Sequence, residues 1–159
     1  MDGSLPTGGV EPMRLDDPDL RTLIATADLP AALYIGLQAY VAPGAAVDAA
    51  LVRLRNALTE RIGPPVTLGY GPRFLHSTGQ LHKGGPAGGM FIQIVDDPVT
   101  TVPVPETDYT FNGLVAAQAA GDRSALVERG RTVIPVDLGG ATVEGIEELG
   151  RLIIDVAGD

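Results

Sequence analysis

The chain has 159 residues, a net charge of −9 and no cysteine, with 45% hydrophobic and 19% charged residues. That is the length and composition of one globular domain with an aliphatic core, since aromatics are only 4% and tryptophan is absent. The acidic balance argues against a general nucleic-acid or anionic-membrane surface, and the lack of cysteine excludes disulfide and thiolate chemistry and makes a cytoplasmic location the default.

The first residues, MDGSLPTGGVEP, carry no apolar run and read as neither signal peptide nor anchor, so residues 1–14 are expected to be a flexible leader. No stretch reaches the roughly 20 apolar residues of a membrane span. Residues 16–27 predict a short helix with Leu20, Leu23 and Ile24 on one side. The apolar run 31–41 (AALYIGLQAYV), ended by Pro43-Gly44, predicts a buried strand. Val47, Leu51, Leu54, Leu58 and Ile62 recur at helical spacing over 46–62, and Gly63-Pro64-Pro65 stops that helix. A strand over 66–69 follows, then a Gly-rich turn, then a strand over 89–95 (GMFIQIV).

The Pro-punctuated segment after that strand is too long for a tight turn. Residues 111–120 predict a helix with Leu114 and Val115 inward. Asp122 is placed to N-cap a separate short helix ended by Gly130. Residues 132–138 predict a strand in which Pro135 implies an edge or a bulge. Thr142 is placed to N-cap a last helix carrying Val143, Ile146, Leu149, Ile153 and Val156. Strands alternating with helices imply a three-layer α/β domain, a mostly parallel sheet of about four strands flanked by helices, over residues 15–159. In such sheets ligands sit beyond the carboxyl ends of the strands.

Chemistry concentrates in residues 69–85, GYGPRFLHSTGQLHKGG. The only lysine, Lys83, both histidines, His76 and His82, and Arg73 lie there with Ser77, Thr78 and glycines at 69, 71, 79, 84 and 85. In an acidic chain this reads as an anion site: hydroxyls and backbone amides at a helix start bind phosphate oxygens while Arg73 or Lys83 supplies charge. A helix starting near His76 or Ser77 would present such amides. The plainer alternative is that Arg73 and Lys83 pair with carboxylates and the histidines bond locally.

Other chemistries fit less well. Gly69-Tyr70-Gly71 opens like a dinucleotide turn but lacks the third glycine, and Asp96 and Asp97 are distant ribose candidates. His76 and His82 are six apart with no carboxylate between them, a poor metal pattern. Ser77 adjoins His76 but lies outside any G-x-S-x-G turn. Gln80 is a candidate for a sugar hydroxyl; Glu106, Asp108 and Tyr109 are acid–base candidates by position alone.

The segment 69–85, the strand MFIQI, the run YTFNGLVAAQAAGD and the strand after it together resemble the phosphoglucose isomerase family. The likeness covers about Leu29 to Leu138 and is nearest to the isomerase part of fused transaldolase–phosphoglucose isomerase chains. It implies a sugar-isomerase (SIS) fold and glucose 6-phosphate or fructose 6-phosphate as ligand. It further implies aldose–ketose isomerisation without a cofactor: one residue assists ring opening, and a carboxylate moves a proton between C1 and C2 through an enediol. The implied substrate-binding residues are Arg73, His76, Ser77, Thr78, Gln80, His82 and Lys83, with His76, His82 and Lys83 the weak catalytic candidates. The positions that match the family motif directly are His76, Gln80 and Leu81.

The departures are equally specific. A complete isomerase has two such halves and this length holds one. The Gly-Gly-Arg motif, the Ser/Thr phosphate loop and the distal catalytic lysine are missing. Gly69 stands where the catalytic glutamate would be, and Tyr109 or Thr110 falls near the family histidine. The expectation is therefore a site completed by a partner, either a second copy or a complementary isomerase or transaldolase subunit. The alternative is a sugar-phosphate-binding or assembly domain that has lost the chemistry.

Overall fold

A computed structural model describes residues 11–71, 82–85, 87–96, 103–108 and 110–158. Among the described residues the sheet has five parallel strands: β1 (Met13–Arg14), β2 (Tyr34–Tyr40), β3 (Val66–Tyr70), β4 (Gly89–Val95) and β5 (Thr132–Asp137), in the order β1-β5-β4-β2-β3. Helices α1 (Pro18–Ala27), α2 (Ala45–Arg61), α3 (Phe111–Glu128) and α4 (Thr142–Ala157) complete the alternation. Among the described residues, no helix is long and apolar enough to cross a membrane.

The fifth strand is the departure from the expected four. Met13 and Arg14 pair with Val136 and Asp137. Two residues are too short for any periodicity, so only the pairing reveals them. The same brevity resolves the oddity of Pro135. Among the described residues β1 reaches only Val136 and Asp137, so one side of β5 has no ladder partner at Pro135 and behaves there as an edge.

The two faces of the sheet are covered unequally. On one face Ile35, Leu37, Ala39, Ile92, Ile94, Ile134 and Val136 pack against α1, α2 and α4 through Leu20, Ile24, Leu51, Leu54, Leu58, Ile146, Leu149 and Ile153, which builds the main core. On the other face Tyr34, Tyr40, Phe91, Val95 and Val133 meet α3 through Val115, Ala119 and Leu126. Helix, sheet, helix: three layers.

Two helix boundaries differ from the expectation for physical reasons. α3 is one continuous helix through Gly121 and Asp122, not two. Thr110 caps it, its side chain accepting from Gly113 N at 3.0 Å, and Gly130 at φ 73° ends it. Its sheet-facing row is Val115, Ala119, Asp122 and Leu126, which turns Leu114 outward to 46% exposure. Thr142 is the first residue of α4 rather than its cap, and its hydroxyl donates to Asp96 instead.

Replacing Leu58, fully buried in the main core, by alanine should cost about 2–5 kcal/mol of unfolding free energy by urea titration. The exposed Val52 on the same helix should tolerate alanine within about 0.5 kcal/mol.

Candidate functional site

The chain winds from β2 outward to β3 and then back across β2 to β4, so the strand order reverses between β2 and β4. The segments leaving their carboxyl ends diverge to opposite faces, and a crevice at that point is where open α/β sheets bind ligands. Residues 69–85 leave from the end of β3, one strand away.

Among the described residues, five polar side chains are buried on the α3 face of this sheet: Gln38, His82, Gln93, Asp122 and Arg123. Gln38 and Gln93 stand on paired positions of β2 and β4. His82 and Lys83 begin the helical residues 82–84 that pack over them, and Asp122 and Arg123 descend from α3. Lys83 Nζ lies 2.9 Å from Asp122 Oδ1. Arg123 Nη1 donates to Gln93 Oε1 at 2.6 Å, and Gln93 Nε2 donates to the carbonyl of Ala119 at 3.0 Å. Among the described residues Gln38 Oε1 and Arg123 Nε have no hydrogen-bond partner.

Gln38 Nε2 is 3.1 Å from His82 Nδ1, which leaves Nδ1 as acceptor and the proton on Nε2. The ring also packs against Phe91 in a tilted arrangement, with centroids 4.8 Å apart and planes at 50°. Burial holds the His82 imidazole below its ordinary value; Asp122 pulls it back up, and Lys83 pushes it further down. Burial first, then the Asp122 carboxylate, pushes the Tyr40 hydroxyl well above its ordinary value, with Arg123 opposing. Tyr40 therefore keeps its proton. Arg131, at the foot of β5, donates to three main-chain carbonyls: those of His82 and Lys83 at 3.3 Å each and of Gly85 at 2.9 Å. One guanidinium thus holds the end of the helical turn, where carbonyls lack partners.

The other end of the Gly-rich segment is fixed by packing. Gly71 N donates to the carbonyl of Ala39 at 2.9 Å, and a Cβ on Gly71 would stand 2.4 Å from the Tyr40 ring. Only glycine lets the backbone pass that close. Beyond α3's start, Asp108, Thr110, Gly113, Leu114 and Ala117 line a half-open cleft of about 410 Å³.

Of the site residues expected from sequence, His82 and Lys83 come together in the buried cluster. Arg73, His76, Ser77, Thr78 and Gln80 lie outside the described residues, as do Asp97, Tyr109 and the expected helix start. Asp108 lines the cleft, and Glu106 is exposed at φ 62°. Asp96 accepts from Gly140 N at 2.6 Å and from Thr142 Oγ1, so it serves the start of α4 rather than a ribose. The described residues hold no group of three or more His, Cys, Asp or Glu able to bind a metal. Sequence reasoning missed Gln38, Tyr40, Gln93, Arg123 and Arg131. The available signal was the Gln at the same register of two apolar strands, since a buried amide must have a partner.

No family model and no curated protein matches the sequence. Among solved structures the fold is similar to that of a hypothetical protein from Thermus thermophilus, with a TM-score of 0.68 and 14% identity over 86% of this chain. This chain spans 39% of that protein's length. The likeness extends to the fold.

Two outcomes follow from the cluster. Because the folded chain resists protonating His82, the unfolded chain takes up that proton first as pH falls below about 6.5, and stability falls with it. His82→Asn keeps an acceptor near Nδ1 and cannot ionise. It should lose less stability than the wild type between about pH 7.5 and about pH 5, read from urea unfolding at each pH. Gly71→Ala should cost about 1–3 kcal/mol by forcing the Tyr40 ring aside, measured the same way.

Proposed function

We propose that this chain is a phosphoglucose-isomerase-like domain that binds glucose 6-phosphate and fructose 6-phosphate through residues 73–80. It supplies one wall of an active site that a partner completes. The observation that carries the reading is the segment GPRFLHSTGQLHKGG, set between the carboxyl end of β3 and the buried cluster of a parallel α/β sheet. Its resemblance to the sugar-isomerase motif gives the ligand class. The sheet supports it, because the strand reversal beside that segment is the ordinary location of a ligand crevice.

Local charge supports it as well. The chain is acidic overall, yet Lys83, Arg123 and Arg131 gather on this face, and Asp122 is the one buried carboxylate among them. A local excess of cations in an acidic protein favours an anionic ester there over the rest of the surface. Lys83 is already engaged with Asp122, so contact with phosphate falls to Arg73, Ser77, Thr78 and main-chain amides, with Gln80 on a sugar hydroxyl. His76, at the matching motif position, is a catalytic candidate together with His82 and Lys83. No carboxylate in this chain occupies the position of the proton-transfer base, so turnover requires a partner that brings one.

Calorimetry with fructose 6-phosphate and a coupled isomerase assay test this directly. Binding without turnover by the isolated chain is expected. Arg73→Ala should weaken binding by about 1.5–3 kcal/mol, the scale of a charge-assisted hydrogen bond. Absence of any hexose-phosphate binding would sink the ligand assignment. Full turnover by the isolated chain would remove the need for a partner.

A further inference from the structure

We infer that Arg131 is a positioning residue: its guanidinium fixes the turn 82–85, and through that turn the seats of His82 and Lys83. Its bearing on ligand rests on the hexose-phosphate reading above, in which His82 and Lys83 are catalytic candidates; its hold on the turn does not. Residues 82–84 make a single helical turn, too short to satisfy its own carbonyls. In a continuing helix the His82 carbonyl would accept from the N–H of residue 86, and that residue is proline, which has none. Gly84 and Gly85 bring no side chain to anchor the turn, and glycine has the most backbone freedom to lose. The missing donors come from outside: Arg131 Nε donates to the His82 carbonyl at 3.3 Å, and Nη2 to those of Lys83 and Gly85 at 3.3 and 2.9 Å.

Arg131 is itself held in place. Its main-chain N–H donates to the Leu126 carbonyl at 3.0 Å, Gly130 before it turns at φ 73°, and Thr132 after it opens β5 opposite Met90 of β4. Among the described residues no carboxylate pairs with Arg131, so its charge is directed at the main-chain oxygens of this one turn. The turn in turn aims two side chains. His82 Nδ1 meets Gln38 Nε2 at 3.1 Å with the ring against Phe91, and Lys83 Nζ meets Asp122 at 2.9 Å. A shift of about an ångström breaks a hydrogen bond of that length, and a ring freed from Gln38 no longer has one favoured tautomer. Lysine could not replace Arg131, because a single ammonium nitrogen lacks the planar fork that spans several carbonyls.

Imidazole nitrogen NMR reads the His82 seat directly: the chain has two histidines, and the signal absent from H82N belongs to His82. The wild type should show one His82 tautomer, with Nδ1 bare and Nε2 protonated. R131M should show mixed tautomers and a titration closer to the ordinary imidazole value. Its amides at residues 83–85 should exchange about tenfold faster or more while peptides from β2 and β4 stay protected. R131K keeps the charge without the fork and should behave like R131M. Affinity for fructose 6-phosphate, by calorimetry, should fall in both variants. An unchanged tautomer and titration in R131M would overturn the inference, and so would a wild-type seat in R131K, which would make charge alone sufficient. Exchange accelerated evenly over the whole chain would make Arg131 a general stabiliser and overturn it too. Unchanged fructose 6-phosphate affinity in R131M would overturn the link from turn to ligand. If the wild type binds no fructose 6-phosphate, the sugar-phosphate reading fails, and the imidazole spectra still decide the positioning role.

Discussion

A carboxylate taken out of water must be met by opposite charge or by donors, because an isolated buried charge costs several kcal/mol. Asp122 imposes that requirement at the centre of α3, and the α3 side of the molecule is arranged around it. The helix turns Asp122 and Arg123 toward the sheet. Lys83 is drawn in to neutralise Asp122. The sheet beneath carries Gln38 and Gln93 where its other face carries isoleucine and leucine, since the incoming His82 and Arg123 need partners. The outward side of α3 keeps Leu114 and small residues, an inversion of the usual helix pattern that follows from the charged residues facing in.

Much of the fold was legible because the three-helix face is ordinary hydrophobic chemistry. Leu51, Leu54 and Leu58 on α2, and Ile146, Leu149 and Ile153 on α4, announce helices by spacing, and the apolar runs at β2 and β4 announce buried strands. The α3 side was hard to read for the opposite reason. Asp122 in a polar-looking run suggested a cap, since an acidic residue after glycine is more often at a helix start than buried mid-helix. Its actual partner, Lys83, lies 39 positions earlier in the chain (122 − 83), and no local rule connects them. β1 was invisible because two residues have no period. Of the candidate site, the sequence marked the segment but not its frame. Arg131 and the two glutamines act through tertiary contacts with no motif of their own.

The buried cluster also shows how an acidic chain keeps a locally balanced polar interior. Lys83 is offset by Asp122, the Arg131 guanidinium is engaged by main-chain carbonyls, and burial weakens screening of these charges by salt. Neutral His82 adds no charge to this balance, because Gln38 donates to Nδ1 and burial disfavours a second proton.

Asp96 stands immediately after β4, with its two oxygens committed to Gly140 N and the Thr142 hydroxyl at the start of α4. A helix start is a natural seat for an anion, and here the chain fills that seat with its own carboxylate. That helix start is therefore capped from within, and one carboxylate ties the end of β4 to the first turn of α4.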